Sequence, residues 1–270
     1  MLLYGLGAIA VIAFTFFYLF FYRNWRRQRH LEQPFPDRWR SVLQSMVPLY
    51  RRLPASLARQ LEQHIQLFLA EKDFYGCDGF DVTERVRVAI AGHACLLIMA
   101  RRYSDYDEVQ SILVYPDAYH VRSVASDGLV VSERSQIRAG EASSRGQVLL
   151  AWAECENAIR EPDEAHNVIL HEFAHQLDYL DGTADGAPPL SGEQARHWQS
   201  TMTRAYENLR HSLHHRHPWL DPYGATEPAE FFAVLTEAFF QQPSHLRTEQ
   251  PGVYQALCDF YRVDPQSFHG

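Results

Sequence analysis

Asn167-Val168-Ile169-Leu170-His171-Glu172-Phe173-Ala174-His175-Gln176-Leu177-Asp178 is the stretch from which the rest of the chain is read. It reads as helix, and residues four apart on a helix are neighbours on one face. His171 and His175 can therefore aim two imidazoles at one point. A zinc ion takes nitrogen ligands at about 2.0–2.1 Å in a tetrahedral set, and this pair supplies two corners. Glu172, one step from His171, points beside the metal rather than at it. That is where a general base for a zinc-bound water is needed.

The surrounding chain bounds what such a site can serve. It has 270 residues, 46% of them apolar and 21% charged, which is ordinary for a globular protein. The net charge is −8, and the first 30 residues hold four arginines and no acid. The remainder carries 21 basic against 33 acidic residues, which argues against nucleic acid as a partner. Cys77, Cys95, Cys155 and Cys258 are scattered with no CxxC pair, so they read as reduced thiols.

Leu2 to Tyr22 has no charged residue, and its length matches one bilayer crossing. No basic residue precedes it, and it ends in Phe-Leu-Phe-Phe-Tyr rather than in small residues, which disfavours a cleaved signal peptide. Arg23, Arg26, Arg27 and Arg29 follow it, so the positive-inside rule places its C-terminal end in the cytoplasm. The expected organisation is a transmembrane anchor at 1–22, a basic juxtamembrane linker at 23–36 and a catalytic domain at 37–265 facing the cytoplasm.

Within that domain, Asp37 is expected to cap a helix to about Val47, and Pro54 to Glu71 reads as an amphipathic helix. Residues 74–81 read as a turn and 83–100 as a buried core helix. Strands are expected at 111–116, 129–134 and 147–152, the last a candidate edge for an extended peptide. The zinc helix is placed at 163–179. A long helix follows over 191–215, with Ser191 and Gln194 as a capping box, and further helices span 227–241 and 252–261. Helices, a small sheet and more helices make the fold α+β. A dense group, His211, His214, His215 and His217, reads as a solvated helix end.

Two histidines need a third protein ligand that leaves the fourth position to water. Asp181 follows His171 by ten residues, but that arrangement needs a glycine where this chain has Asp178. Asp185 has only a loop behind it. Glu230 and Glu237 lie seven apart in an otherwise apolar helix, Pro228-Ala229-Glu230-Phe231-Phe232-Ala233-Val234-Leu235-Thr236-Glu237. Carboxylates there need partners, which a metal and a histidine N–H would provide.

These residues, with Tyr223 ahead of the second helix, resemble the Mlc titration factor A family of zinc-dependent peptidases. The catalytic domain of anthrax lethal factor is similar in its metal-helix pattern and in the seven-residue spacing from Tyr to Glu. Ile112-Leu113-Val114-Tyr115-Pro116 also looks like the family. The resemblance implies a mainly helical, zincin-like (gluzincin) domain binding one Zn2+ through His171, His175 and Glu230. It implies Glu172 as general base and Tyr223 as the residue stabilising the oxyanion. Glu237 and Asp178 would then accept the remaining histidine N–H groups. It further implies aminopeptidase-type cleavage of small or unfolded peptides and, for the family's best-known member, control of sugar uptake through binding the repressor Mlc. The membrane anchor departs from that member. The competing reading is a regulatory module that binds a protein partner and keeps the metal for structure, but Glu172 has no role in a purely structural site.

Overall fold

The computed structural model describes residues 2–117, 146–162, 164, 166–213 and 219–268; within the first helix, side chains are described at 9, 11, 14–18 and from 21 on. The helices are α1 (Leu2–Leu31), α2 (Asp37–Met46), α3 (Ala55–Glu71), α4 (Glu84–Leu96), α5 (Trp152–Arg160), α6 (Val168–Asp178), α7 (Gly192–Ser212), α8 (Pro228–Gln241), α9 (Pro243–Glu249) and α10 (Pro251–Tyr261). Three strands, β1 (Asp73–Gly76), β2 (Ser111–Tyr115) and β3 (Gln147–Ala151), form a parallel sheet in the order β1-β2-β3. The register sets Asp73 opposite Ser111 and Ser111 opposite Gln147. The fold is mainly helical with a small sheet, as the sequence predicts.

Parallel neighbours need a crossover, and α4 lies in the one between β1 and β2. Its residues Val88 to Ala91 are fully buried, which fits a helix apolar on nearly all sides. Thr83 caps it by accepting from the backbone N–H of Val86 at 3.3 Å. Phe173 of α6 packs its ring against Tyr106 and Phe68, with centroids 5.3 and 5.7 Å away. This aromatic knot anchors the histidine helix to α3 and to the turn before β2. Fully burying a side chain such as Phe173 contributes about 1.5–3 kcal/mol.

Several local expectations change. Residues 73–76 form a strand rather than a turn: they make a short, mostly exposed edge with no apolar alternation to mark it. Helices α5 and α9 are not among the expected elements; each is short, with nine and seven residues. The histidine helix begins at Val168 because Asn167 caps it, not near residue 163. Helix α2 begins at Asp37 with Pro36 at the cap position, and Ser191 makes no capping hydrogen bond. The expected strand at 129–134, and His214, His215 and His217, lie outside the described residues.

The N-terminal segment also differs from expectation. Among the described residues, no helix is long and apolar enough to cross a membrane. Helix α1 runs unbroken to Leu31, so residues 23–31 are not linker. Arg27 donates two hydrogen bonds to Glu71, both at 2.8 Å, and a third to Asp107. Its guanidinium also lies 4.9 Å from the centre of the Tyr103 ring. The basic run is therefore partly committed to the folded body. Ahead of it, Ile9, Val11, Phe14, Phe16, Phe17 and Phe21 of α1 are each more than 60% exposed.

Candidate metal centre

Two packed helices build the site. Helix α6 buries Ile169, Leu170, Phe173 and Leu177, which turns His171, Glu172 and His175 toward α8. Helix α8 starts with Pro228 in its first turn, where the missing N–H costs nothing. It buries Phe231 to Phe240 and presents Glu230 from its first turn. His171, His175 and Glu230 each offer one atom, and these atoms lie within 4.8 Å of one another. Glu230 Oε2 is 2.9 Å from His171 Nε2 and 3.4 Å from His175 Nε2. A tetrahedral ion with bonds of about 2.0–2.1 Å asks for ligand atoms about 3.3 Å apart. Two nitrogens and a carboxylate at this spacing fit a metal after a small opening of the His171–Glu230 contact.

The pair of carboxylates on α8 divides its work. While Glu230 faces both histidines, Glu237 Oε1 accepts from His171 Nδ1 at 2.7 Å. That contact leaves Nε2 as the ligand atom. Glu237 Oε2 accepts the backbone N–H of Asn167, and His166 lies 3.6 Å away. Burial alone would lower the His171 pKa; Glu237 and Glu230 beside it outweigh burial and raise it well above its ordinary value. Burial would raise Glu230, yet its hydrogen bonds to His171 and His175 hold it well below the usual carboxylate range. Glu172 goes the other way. Burial raises it, and Glu230 and Glu237 add to that, against the pull of the histidines.

The profile of the glucose-regulated metallo-peptidase M90 family matches residues 22–262. The chain belongs to that family. It is 41% identical to an uncharacterized protein of Synechocystis over 246 residues, 90% of each chain. It is 31% identical to Mlc titration factor A of Salmonella gallinarum over 225 residues, 81% of this chain and 84% of that one. Against the protein of the same name from Cronobacter sakazakii the identity is 29% over 236 residues, 85% and 87% of the two chains. The M90 match begins at residue 22, so it takes in the last third of α1, which docks on the body.

Tyr223 enters this M90 site from a short turn of 3-10 helix, Pro222–Ala225. Asp221 Oδ1 accepts its backbone N–H at 2.8 Å, and Gly224 sits so close to Val234 of α8 that a Cβ would lie 3.3 Å from the valine Cβ. The Tyr223 ring centre is 6.0 Å from that of His171. Burial, then the charge and hydrogen bond of Glu230, raise its phenol well above the ordinary value.

The other acidic candidates do different work. Asp181 accepts from the N–H and hydroxyl of Thr183, at 3.1 and 2.9 Å, and Asp185 accepts from Ala187 N–H at 3.1 Å. Both close turns of their own loop. Asp178 is fully buried and accepts from Gly186 N–H at 2.8 Å, while its Oδ1 has no hydrogen-bond partner among the described residues. Its link to His175 is electrostatic rather than the expected hydrogen bond. Gly186, which sequence reading passed over, joins three helices. Its carbonyl accepts from Trp198 Nε1 at 3.0 Å, and a Cβ on it would meet Pro228 O at 2.3 Å. Its φ of +78° is a value glycine adopts without strain. Asn167 was also passed over, although an Asn ahead of an apolar run is a cap signal.

Proposed function

We propose that the chain is a zinc peptidase that hydrolyses peptide bonds, with one Zn2+ held by His171, His175 and Glu230. The observation that carries this reading is the convergence of those three ligand atoms beside a half-buried Glu172. Bound there, zinc would supply Lewis-acid chemistry, making a water more acidic and polarising a substrate carbonyl. Glu172 takes the water proton and passes it to the leaving amine; its raised pKa suits a group that must both accept and release. Tyr223 donates its phenolic hydrogen to the carbonyl oxygen as negative charge develops there. Glu237 keeps His171 in the tautomer that frees Nε2. Asp178 acts through the Gly186 loop and the field at His175. Cleavage of the aminopeptidase type is the form we favour, on the family resemblance.

Glu172→Gln is the deciding variant. It should lower peptide turnover at least 100-fold while zinc content stays near one per chain, measured by metal analysis and a peptide-library assay. Unchanged turnover would sink the mechanism.

We further propose that residues 1–22 anchor the protein in a membrane with the body on the cytoplasmic side. The uncharged run and the exposed rings of α1 support this, because phenylalanines on several sides of one helix are poorly suited to water. Protein lacking residues 1–22 should move from the membrane to the soluble fraction; the same distribution with and without them would refute the anchor. A second reading is regulatory, through binding a repressor protein. The name of the Salmonella and Cronobacter relatives favours it. Purified Mlc failing to bind the full chain in a pull-down would remove it.

A further inference from the structure

A line of polar groups, buried as far as Glu237, runs from α2 to the metal centre. At its start α2 and α4 touch closely. A Cβ on Gly92 would come within 2.7 Å of Leu43 Cδ2 and 2.8 Å of Val47 Cγ2, so any larger residue would have to push those side chains aside. The next residue, His93, thereby reaches the end of α2, and its Nε2 lies 2.9 Å from Met46 O. A carbonyl only accepts, so Nε2 carries the hydrogen and Nδ1 is bare. Asn167 Nδ2 stands 3.2 Å from that bare nitrogen and donates to it.

This orientation has a consequence at the other end of the Asn167 amide. With its NH2 turned to His93, its Oδ1 faces α6 and accepts from Leu170 N–H at 3.1 Å. The backbone N–H of Asn167 donates to Glu237 Oε2, and Glu237 Oε1 accepts from His171 Nδ1 at 2.7 Å. The roles of His93 and of the Asn167 amide are thus set in turn from Met46, and Glu237, which only accepts, then takes the N–H groups of Asn167 and His171. His93, Asn167 and Glu237 are each less than 5% exposed, so no water competes for these bonds.

We infer that His93 and Asn167 are positioning residues for the metal centre, fixing through Glu237 the orientation in which His171 offers Nε2. This rests on the zinc reading above. Burial lowers His93 to about 4, so it stays neutral near pH 7, as one hydrogen on the ring requires. The groups lie far apart in sequence, 74 residues from His93 to Asn167 and 70 from Asn167 to Glu237.

Asn167→Ser separates positioning from capping. Serine caps a helix about as well as asparagine but has no amide to reach His93. Zinc affinity of the full chain, measured by chelator competition, should fall 10- to 100-fold, while the metal-free protein, with one buried acceptor unpaired, melts only modestly lower. His93→Leu should show the same loss of affinity if it folds. The direct readout is nitrogen NMR of histidine-labelled, metal-free wild type near pH 7, where His93 should be the neutral Nε2–H tautomer. Wild-type affinity in Asn167→Ser, or an Nδ1–H tautomer at His93, would overturn the inference. A wild type that binds no zinc at all would instead sink the metal reading, and the inference with it.

Discussion

Asp178 shows what burial does to one residue. Removed from water, its carboxyl is pushed up to about 7 despite the N–H it receives from Gly186. In the unfolded chain it would titrate near 3.9. Between those values the folded state binds more protons, so this group's contribution is full below about 4 and is lost as pH rises through about 7. Asp178→Asn keeps an acceptor for Gly186 and removes the charge. In metal-free protein its melting temperature relative to wild type should climb from pH 4 to pH 7 and then level off. A difference that does not vary with pH would show that folding does not shift the Asp178 carboxyl. At this scale the sequence is legible where local geometry suffices: the i, i+4 histidines and the adjacent Glu172 need only a helix. Which partner Asp178 takes depends on a loop folding back eight residues later, and no spacing rule specifies that.

Among elements, α1 departs most from its sequence reading. A run of arginines after an apolar stretch reads as a topology signal, yet Arg27 is largely covered and paired with Glu71, whose side chain is 7% exposed. Arg27→Ala would leave that carboxylate without its partner. We expect a loss of about 2–3 kcal/mol, read from the urea midpoint. Arg38→Ala breaks an exposed pair with Glu84 and should cost less than about 1 kcal/mol. Equal losses in the two variants would contradict docking of α1 through Arg27. Helix α8 was easier to read. Its apolar run and starting proline mark it plainly, and its two carboxylates stand out because bare charges are not buried without partners.

At the scale of the molecule, the ligand set ties α6 to α8, so metal binding and folding are coupled. At free zinc about 100 times the dissociation constant, binding would stabilise the fold by about 2.7 kcal/mol. For a chain of this size that is about 5–10 °C in melting temperature. Chelation should lower the melting temperature by that amount in wild type and much less in Glu230→Ala. An equal response in both would remove Glu230 from the ligand set. The three-helix junction at Gly186 belongs to this scale as well, since it sets how far α7 and α8 stand from the C-terminal end of α6.

The sequence by itself determined what depends on the period of a helix. It put two imidazoles and a carboxylate on the turns of α6, and it put two further carboxylates seven residues apart on α8. It marked the buried α4 and two strands of the sheet in the same way, because burial on a regular element leaves a regular pattern. Only the tertiary structure decided which α8 carboxylate faces both histidines and which takes the His171 Nδ1 hydrogen. It alone brought His93 to Asn167 and Arg27 of α1 onto Glu71. Those contacts join residues more than forty positions apart, and their geometry is set by how whole helices pack rather than by any repeat along the chain.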